Sequence, residues 1–217
     1  MRSVSHVTLL AAMLGLLVVL AACATSRDIA KAEAAASATA VAAADAPASL
    51  QTLPSGAALL SPRPGLYTGG QPGAEDWSAL AAAGVRTVVN LRPADELQGR
   101  DERAEVEAAG LRYVEIPVAG AGGIDADKAA QLSALLSGAD GQVLVHCASG
   151  NRVGGLLAVA MAQSGMDADQ AIAFGRSAGM KSTETRAREV IAEQVEARRA
   201  EVCATAAAPD TTQCAAP

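Results

Sequence analysis

The sequence predicts a three-layer α/β domain with a mainly parallel central sheet flanked by helices, and three observations carry that expectation. Strand-like and helix-like patterns alternate through the middle of the chain. The strand-like runs are short, apolar and β-branched, as strands buried on both faces are. The helical stretches between them are long enough to cross over a sheet, so successive strands run parallel.

Each element has its own signal. Residues 66–68, Leu-Tyr-Thr, are a short extended stretch stopped by Gly69-Gly70, and Gln71-Pro72-Gly73 starts a turn. Residues 75–83 fit a helix with Trp77 and Leu80 on one face, closed by Gly84. Residues 85–91, VRTVVNL, are the best strand in the chain, and Pro93 ends it. A helix over 101–109 ends at Gly110, and a strand over 111–118 follows. A helix is expected over 125–136 and a buried strand over 142–146. Helices over 152–163, 168–177 and 183–203 complete the domain. In open sheets of this kind ligands bind beyond the carboxyl ends of the strands, which points to the residues after His146.

The 217 residues are 51% hydrophobic but only 2% aromatic, with a formal net charge of -6. That charge argues against nucleic acid as a partner, because a general nucleic-acid binder needs a basic surface to displace counterions. Four cysteines without a CxxC pair imply no metal, and no cofactor motif is present. At the N-terminus, Arg2 precedes an apolar run of about 14 residues, a signal length and short of a membrane span. Leu20-Ala21-Ala22-Cys23 then resembles the bacterial lipobox. That resemblance implies a lipoprotein signal peptide over 1–22 and lipidation of Cys23. The expected location is the periplasmic face of the bacterial cell envelope, with Ala24 favouring the outer membrane; the rival is an ordinary secretory signal. Residues 23–56 read as an Ala-rich tether, 57–203 as the α/β domain and 204–217 as a tail.

Cys147-Ala148-Ser149-Gly150-Asn151-Arg152-Val153 follows the last strand. A strand delivers a thiol to a tight loop, glycine permits a positive φ, and an arginine opens the next helix. Backbone N–H groups of residues 148–153 can converge on an anion, aided by the helix N-terminus. The same field with Arg152 lowers the thiol pKa, and the guanidinium fork suits two phosphate oxygens. His146 is expected to hydrogen-bond the backbone and shape the loop rather than act as base. The rival is an inert core cysteine.

HCASGNR resembles the HCxxGxxR signature of the cysteine-based phosphatases. Together with LYTGGQP and NLRP..E (Asn90, Leu91, Arg92, Pro93, Glu96), it resembles the phosphatase-like domain of bacterial β-lactamase-hydrolase-like proteins and small tyrosine/dual-specificity phosphatases, over about residues 60–165. The resemblance implies a three-layer phosphatase-like domain. It also implies a phosphocysteine on Cys147 and phosphate held by Arg152 and the amides of Ala148, Ser149, Gly150, Asn151 and Val153, with a phosphorylated protein or small molecule as substrate. Three features depart from the pattern. Four residues, not five, separate Cys147 from Arg152, a loop as short as that of rhodaneses, which carry a persulfide. Val153 stands where phosphatases usually have Ser or Thr. The general acid is not obvious: Asp125 is the one carboxylate of the loop 117–125, and it also sits where a helix N-cap belongs. The glycines of that loop are expected to let it close over a substrate. Arg92 and Glu96 are expected as an ion pair or loop clamp beside the site. Alternatives to phosphate-ester hydrolysis are therefore sulfur transfer through a Cys147 persulfide and a catalytically weak phosphate-binding module. Export makes a disulfide between Cys203 and Cys214 an expected clasp on the last helix.

Overall fold

Alternation along two central strands explains the layering. The computed structural model describes residues 49–205. Strands are β1 (Ser49–Thr52), β2 (Ala58–Arg63), β3 (Leu66–Gly69), β4 (Val85–Asn90), β5 (Arg112–Glu115) and β6 (Gln142–His146). Helices are α1 (Asp76–Ala82), α2 (Glu102–Ala108), α3 (Ala126–Gly138), α4 (Asn151–Gln163), α5 (Ala168–Ser177) and α6 (Glu184–Thr205), with a 3-10 turn at Ala94–Leu97. Val143 and Val145 of β6, with Val89 of β4, face one core, closed by Leu132, Leu156, Leu157 and Ile172 from the helices. Leu144, Val85 and Val88 point the other way, against Trp77 and Leu80 of α1 and Val106 of α2. Each large side chain so buried contributes about 1.5–3 kcal/mol. Two cores on opposite faces of one sheet make three layers.

The sheet has six strands in the order β1-β2-β3-β6-β4-β5. β3, β6, β4 and β5 run parallel, with Gly69 and Asn90 both opposite His146. β1 and β2 add an antiparallel edge. That edge corrects the expected tether boundary at residue 56, since β1 and the turn after it belong to the domain. Leu53 is buried in the second core. Ser55 donates through its N–H (2.9 Å) and its hydroxyl (2.6 Å) to the Asp76 carboxylate. β2 was masked in the sequence by Pro62, which the sheet accepts where its register shifts between Leu60 and Arg63. β5 is shorter than the expected 111–118. Ile116 and Val118 still donate N–H bonds to Asn90 and Leu91 carbonyls, so bonding to β4 continues past the strand's end, and Pro117 between them sits where an N–H would face the open edge of the sheet.

α4 is buried along most of its length and packs so closely on α5 that only glycine fits at two crossing points. A Cβ on Gly154 would lie 2.2 Å from the Met180 nitrogen, and one on Gly175 would lie 2.7 Å from the Gly154 oxygen. Among the described residues no helix is long and apolar enough to cross a membrane. The leader, Cys23 and most of the tether lie outside the described residues. Cys203 is disulfide-bonded, and Cys214, its expected partner, lies outside the described residues.

Candidate active site

β6 ends at His146, and the chain turns at once into the N-terminus of α4. Cys147 is the free cysteine among the described residues and is 0% exposed. Its backbone N–H reaches the Gly69 carbonyl (3.3 Å), and Gln71 N–H reaches the Ala148 carbonyl (3.5 Å). Gly70 bridges Ser149, so β3 and its glycines hold one side of the loop. Gly150 adopts φ 82 and is the N-cap of α4. This is the position where the loop needs glycine. Having no side chain, Gly150 leaves the helix N-terminus uncapped and its amides available to an anion. The Gly150 N–H donates to Cys147 Sγ at 3.2 Å.

Arg152, in the first turn of α4, is 8% exposed. Its Nη1 donates to Glu96 Oε1 (2.8 Å) and to the Val118 carbonyl (2.8 Å), and its Nη2 donates to Glu96 Oε2 (2.6 Å). Burial works against its charge, but Glu96 and the adjacent Cys147 thiol more than reverse this and raise its pKa. Glu96 in turn is held below the usual carboxylate range, first by Arg152 and also by Arg92, although burial opposes this. Arg92 Nε lies 3.6 Å from Glu96 Oε2, and its two terminal nitrogens reach the Glu96 carbonyl and Gln71 Oε1. The expected Arg92–Glu96 pair is present, and Glu96 additionally grips Arg152.

Beneath the loop lies a pair that sequence reasoning missed. His146 Nε2 stands 2.7 Å from Glu102 Oε1, both side chains fully buried, in a contact off the axis of an aligned hydrogen bond. Gln71 Nε2 donates to the other Glu102 oxygen at 2.9 Å. Burial pushes the Glu102 pKa up, but His146, Gln71 and Arg100 outweigh it and the carboxyl is held low. His146 was expected to bond the backbone; its ring instead meets a carboxylate, with Trp77 at a centroid distance of 6.2 Å. One signal was available: His146 shares its strand face with Leu144, which packs on the α1–α2 side.

Asn151 faces away from Cys147. Its Oδ1 accepts the Lys181 N–H (2.7 Å) and the Thr183 N–H (3.3 Å), and its Nδ2 donates to Ser182 Oγ (2.8 Å). Asn151 therefore staples the loop to the α5–α6 connection and leaves its backbone N–H at the helix start. Val153 is buried in the core, so no hydroxyl follows the arginine.

Asp125 is the N-cap of α3. Its Oδ1 accepts the Lys128 N–H at 2.8 Å, and its Oδ2 pairs with Lys128 Nζ. Burial raises its pKa, but these contacts outweigh burial and lower it. A proton donor needs the reverse, so the expectation of catalysis by Asp125 gains nothing from the geometry. The glycines before it also differ from the expected hinge. Gly123 N–H bonds the Ala119 carbonyl (3.0 Å), and Ile124 N–H bonds that of Ala121 (3.1 Å). A Cβ on Gly123 would fall 2.5 Å from the Ala119 nitrogen, so that glycine allows a tight fold-back rather than a swing.

The family described as "Beta-lactamase hydrolase-like protein, phosphatase-like domain" matches residues 64–166, from the start of β3 to just beyond α4. A beta-lactamase hydrolase-like protein of Xylella fastidiosa is 37% identical over 119 residues, covering 52% of this chain and 27% of the relative. One of Agrobacterium fabrum is 35% identical over 91 residues, 40% of this chain and 21% of the relative. The chain thus matches about a quarter of these relatives' length. Among solved structures, P. aeruginosa TpbA superposes with a TM-score of 0.52 at 24% identity, covering 66% of this chain and 89% of that one. A structure of TpbA in complex with pTyr gives 0.51. Kinase associated phosphatase, solved with its catalytic-site cysteine replaced by serine, gives 0.52 at 16% identity, over 70% and 98% of the two chains. Those likenesses are of fold, and over residues 64–166 the sequence is similar to the phosphatase-like domain of beta-lactamase hydrolase-like proteins.

Proposed function

We propose that this domain hydrolyses phosphate monoesters through a phosphocysteine on Cys147. The observation that carries the reading is a free, buried thiol that accepts the Gly150 N–H beside Arg152, at a helix N-terminus left without a side-chain cap. The thiolate attacks phosphorus, the amides of residues 148–153 and Arg152 hold the phosphoryl oxygens, and water then cleaves the S–P bond. The pTyr complex of TpbA supports a phosphorylated substrate by analogy of fold.

A second reading, sulfur transfer through a Cys147 persulfide, is favoured by one feature: four residues rather than five separate Cys147 from Arg152. The shorter loop encloses a smaller ring of amides, which suits a single sulfur atom. Aryl-phosphate hydrolysis and thiosulfate-to-cyanide sulfur transfer, each measured beside Cys147→Ser, separate the two. Phosphate release lost in the variant supports the first; thiocyanate formation without phosphate release replaces it with the second.

From the lipobox-like Leu20-Ala21-Ala22-Cys23 we further propose that the mature chain sits on the periplasmic face of the envelope through lipidated Cys23, with residues 24–48 as tether. Membrane fractionation tests it. Wild type should sediment with membranes and Cys23→Ser should not; equal partition of the two would remove the anchor.

A further inference from the structure

Phosphoryl transfer makes two separate demands on a site. Donors must gather around the phosphoryl oxygens, and a proton must reach the leaving oxygen when the departing group is basic. This structure meets the first demand and leaves the second unmet among the described residues. Each carboxylate that it brings to the site is ionised and committed. Glu96 spans the Arg152 fork, Glu102 faces His146 in the buried layer under the loop, and Asp125 is taken by the α3 N-terminus and Lys128. The loop that meets Arg152 through the Val118 carbonyl continues as Ala119, Gly120, Ala121, Gly122, Gly123 and Ile124, none with a proton to give. Tyr113 is no substitute: it is buried, accepts the Asn90 amide at 2.8 Å and is pushed up to about 12 by that burial.

Aromatic recognition is missing as well. The whole chain has one Trp, two Tyr and one Phe. Trp77, Tyr113 and Phe174 are 1%, 6% and 2% exposed, and Tyr67 packs against the second core. None is left to stack on the ring of an aryl ester.

We infer, resting on the hydrolytic reading above, that the substrates are phosphates whose leaving group departs as a stable anion without a proton, acyl phosphates foremost, and not the alkyl esters of serine or threonine. The steps balance without an enzyme acid. The Cys147 thiolate forms the S–P bond as the P–O bond breaks, and the electron pair leaves on the carboxylate. Water then adds to phosphorus, the S–P pair returns to sulfur as thiolate, and both water protons remain on the phosphate released. Charge is conserved in each step, and no oxidant, metal or further reactant enters.

Leaving-group dependence tests this on the full chain. The substrates are acetyl phosphate, a series of aryl phosphates of graded phenol acidity, and O-phosphoserine, each corrected for release by Cys147→Ser. Expected is a fall of about tenfold in kcat/KM per unit rise in leaving-group pKa. Acetyl phosphate should be the best substrate, and O-phosphoserine slower than the best aryl ester by at least the 10²–10⁴-fold, roughly, that a general acid supplies. The pH profile should show no alkaline fall from a donor losing its proton. Rates independent of the leaving group, or a bell-shaped profile, would mean that a proton donor operates and would overturn the inference while leaving hydrolysis intact. Absence of Cys147-dependent phosphate release even from acetyl phosphate and the most acidic aryl ester would instead overturn the hydrolytic reading, and this inference with it.

Discussion

On the side of the site built from β4, the 3-10 turn and α2, polar side chains run without a break from Arg152 through Glu96, Arg92 and Gln71 to Glu102 and His146. The facing loop after β5 contributes the Val118 carbonyl and a run of alanine and glycine. Both regions border the same thiol. The first holds a guanidinium and an imidazole in place through two carboxylates, and at the fully buried Glu102–His146 end a missing partner is costly. The second has almost nothing to lose, since its backbone closes on itself. Under the proposed hydrolysis, anion binding falls to the charged wall and no proton transfer to the bare one.

Substitutions on each wall should therefore differ sharply. Arg152→Lys keeps a positive charge but loses the planar fork that meets both Glu96 oxygens. Turnover of an aryl phosphate should fall about 10²–10³-fold, with a steady-state assay as the check. Glu96→Gln should leave the thiol intact while freeing Arg152 from its clamp. A loss of about 10- to 100-fold in kcat/KM is expected, and an unchanged value would mean that the Val118 carbonyl suffices to aim the guanidinium.

Glu102→Gln tests the buried end of the same chain. Its carboxylate is ionised more readily in the folded state than its ordinary value of 4.5. The pair therefore contributes its full stability above that pH and loses it as pH falls through the lower folded pKa. At neutral pH the variant should be less stable by about 1–3 kcal/mol in denaturant unfolding. The difference from wild type should shrink in acid; a constant difference down to low pH would exclude an ionised Glu102. Smallest of all is the effect on the bare wall. Asp125→Asn replaces one good N-cap with another and should change stability by only a few tenths of a kcal/mol, while Asp125→Ala costs about 1 kcal/mol. Aryl-phosphate turnover by Asp125→Asn should match wild type. A large loss would return the aspartate to catalysis and abolish the contrast between the walls.

The parts of this site that could be read from the chain are those made by neighbours in sequence. A buried strand, a thiol, a glycine with positive φ and an arginine in the first helical turn lie within eleven residues, and local geometry links them. The β4 strand and most helices were equally plain, because stops such as Gly84 and Gly110 act within one turn of chain. The edge hairpin was hidden for the opposite reason. Ser49–Thr52 is only four residues with one large apolar side chain in its sequence, Ala58–Arg63 contains a proline, and both become strands by pairing with each other and with β3 rather than by propensity.

Sequence alone thus determined the order of strands and helices from β3 onward, the parallel core of the sheet and the thiol–arginine loop, since hydrophobic period, turn chemistry and loop spacing are short-range properties. Tertiary structure alone decided which distant group each of two carboxylates meets. Glu96 reaches Arg152 across 56 residues of chain. Glu102 meets His146 because α2 packs on the face of β6 that strand alternation assigns to that histidine. Asp125 caps the helix it begins, the local role its position in the sequence already implied. Charge pairing depends on distances across the fold, and those exist only once the sheet register and the helix packing have been set.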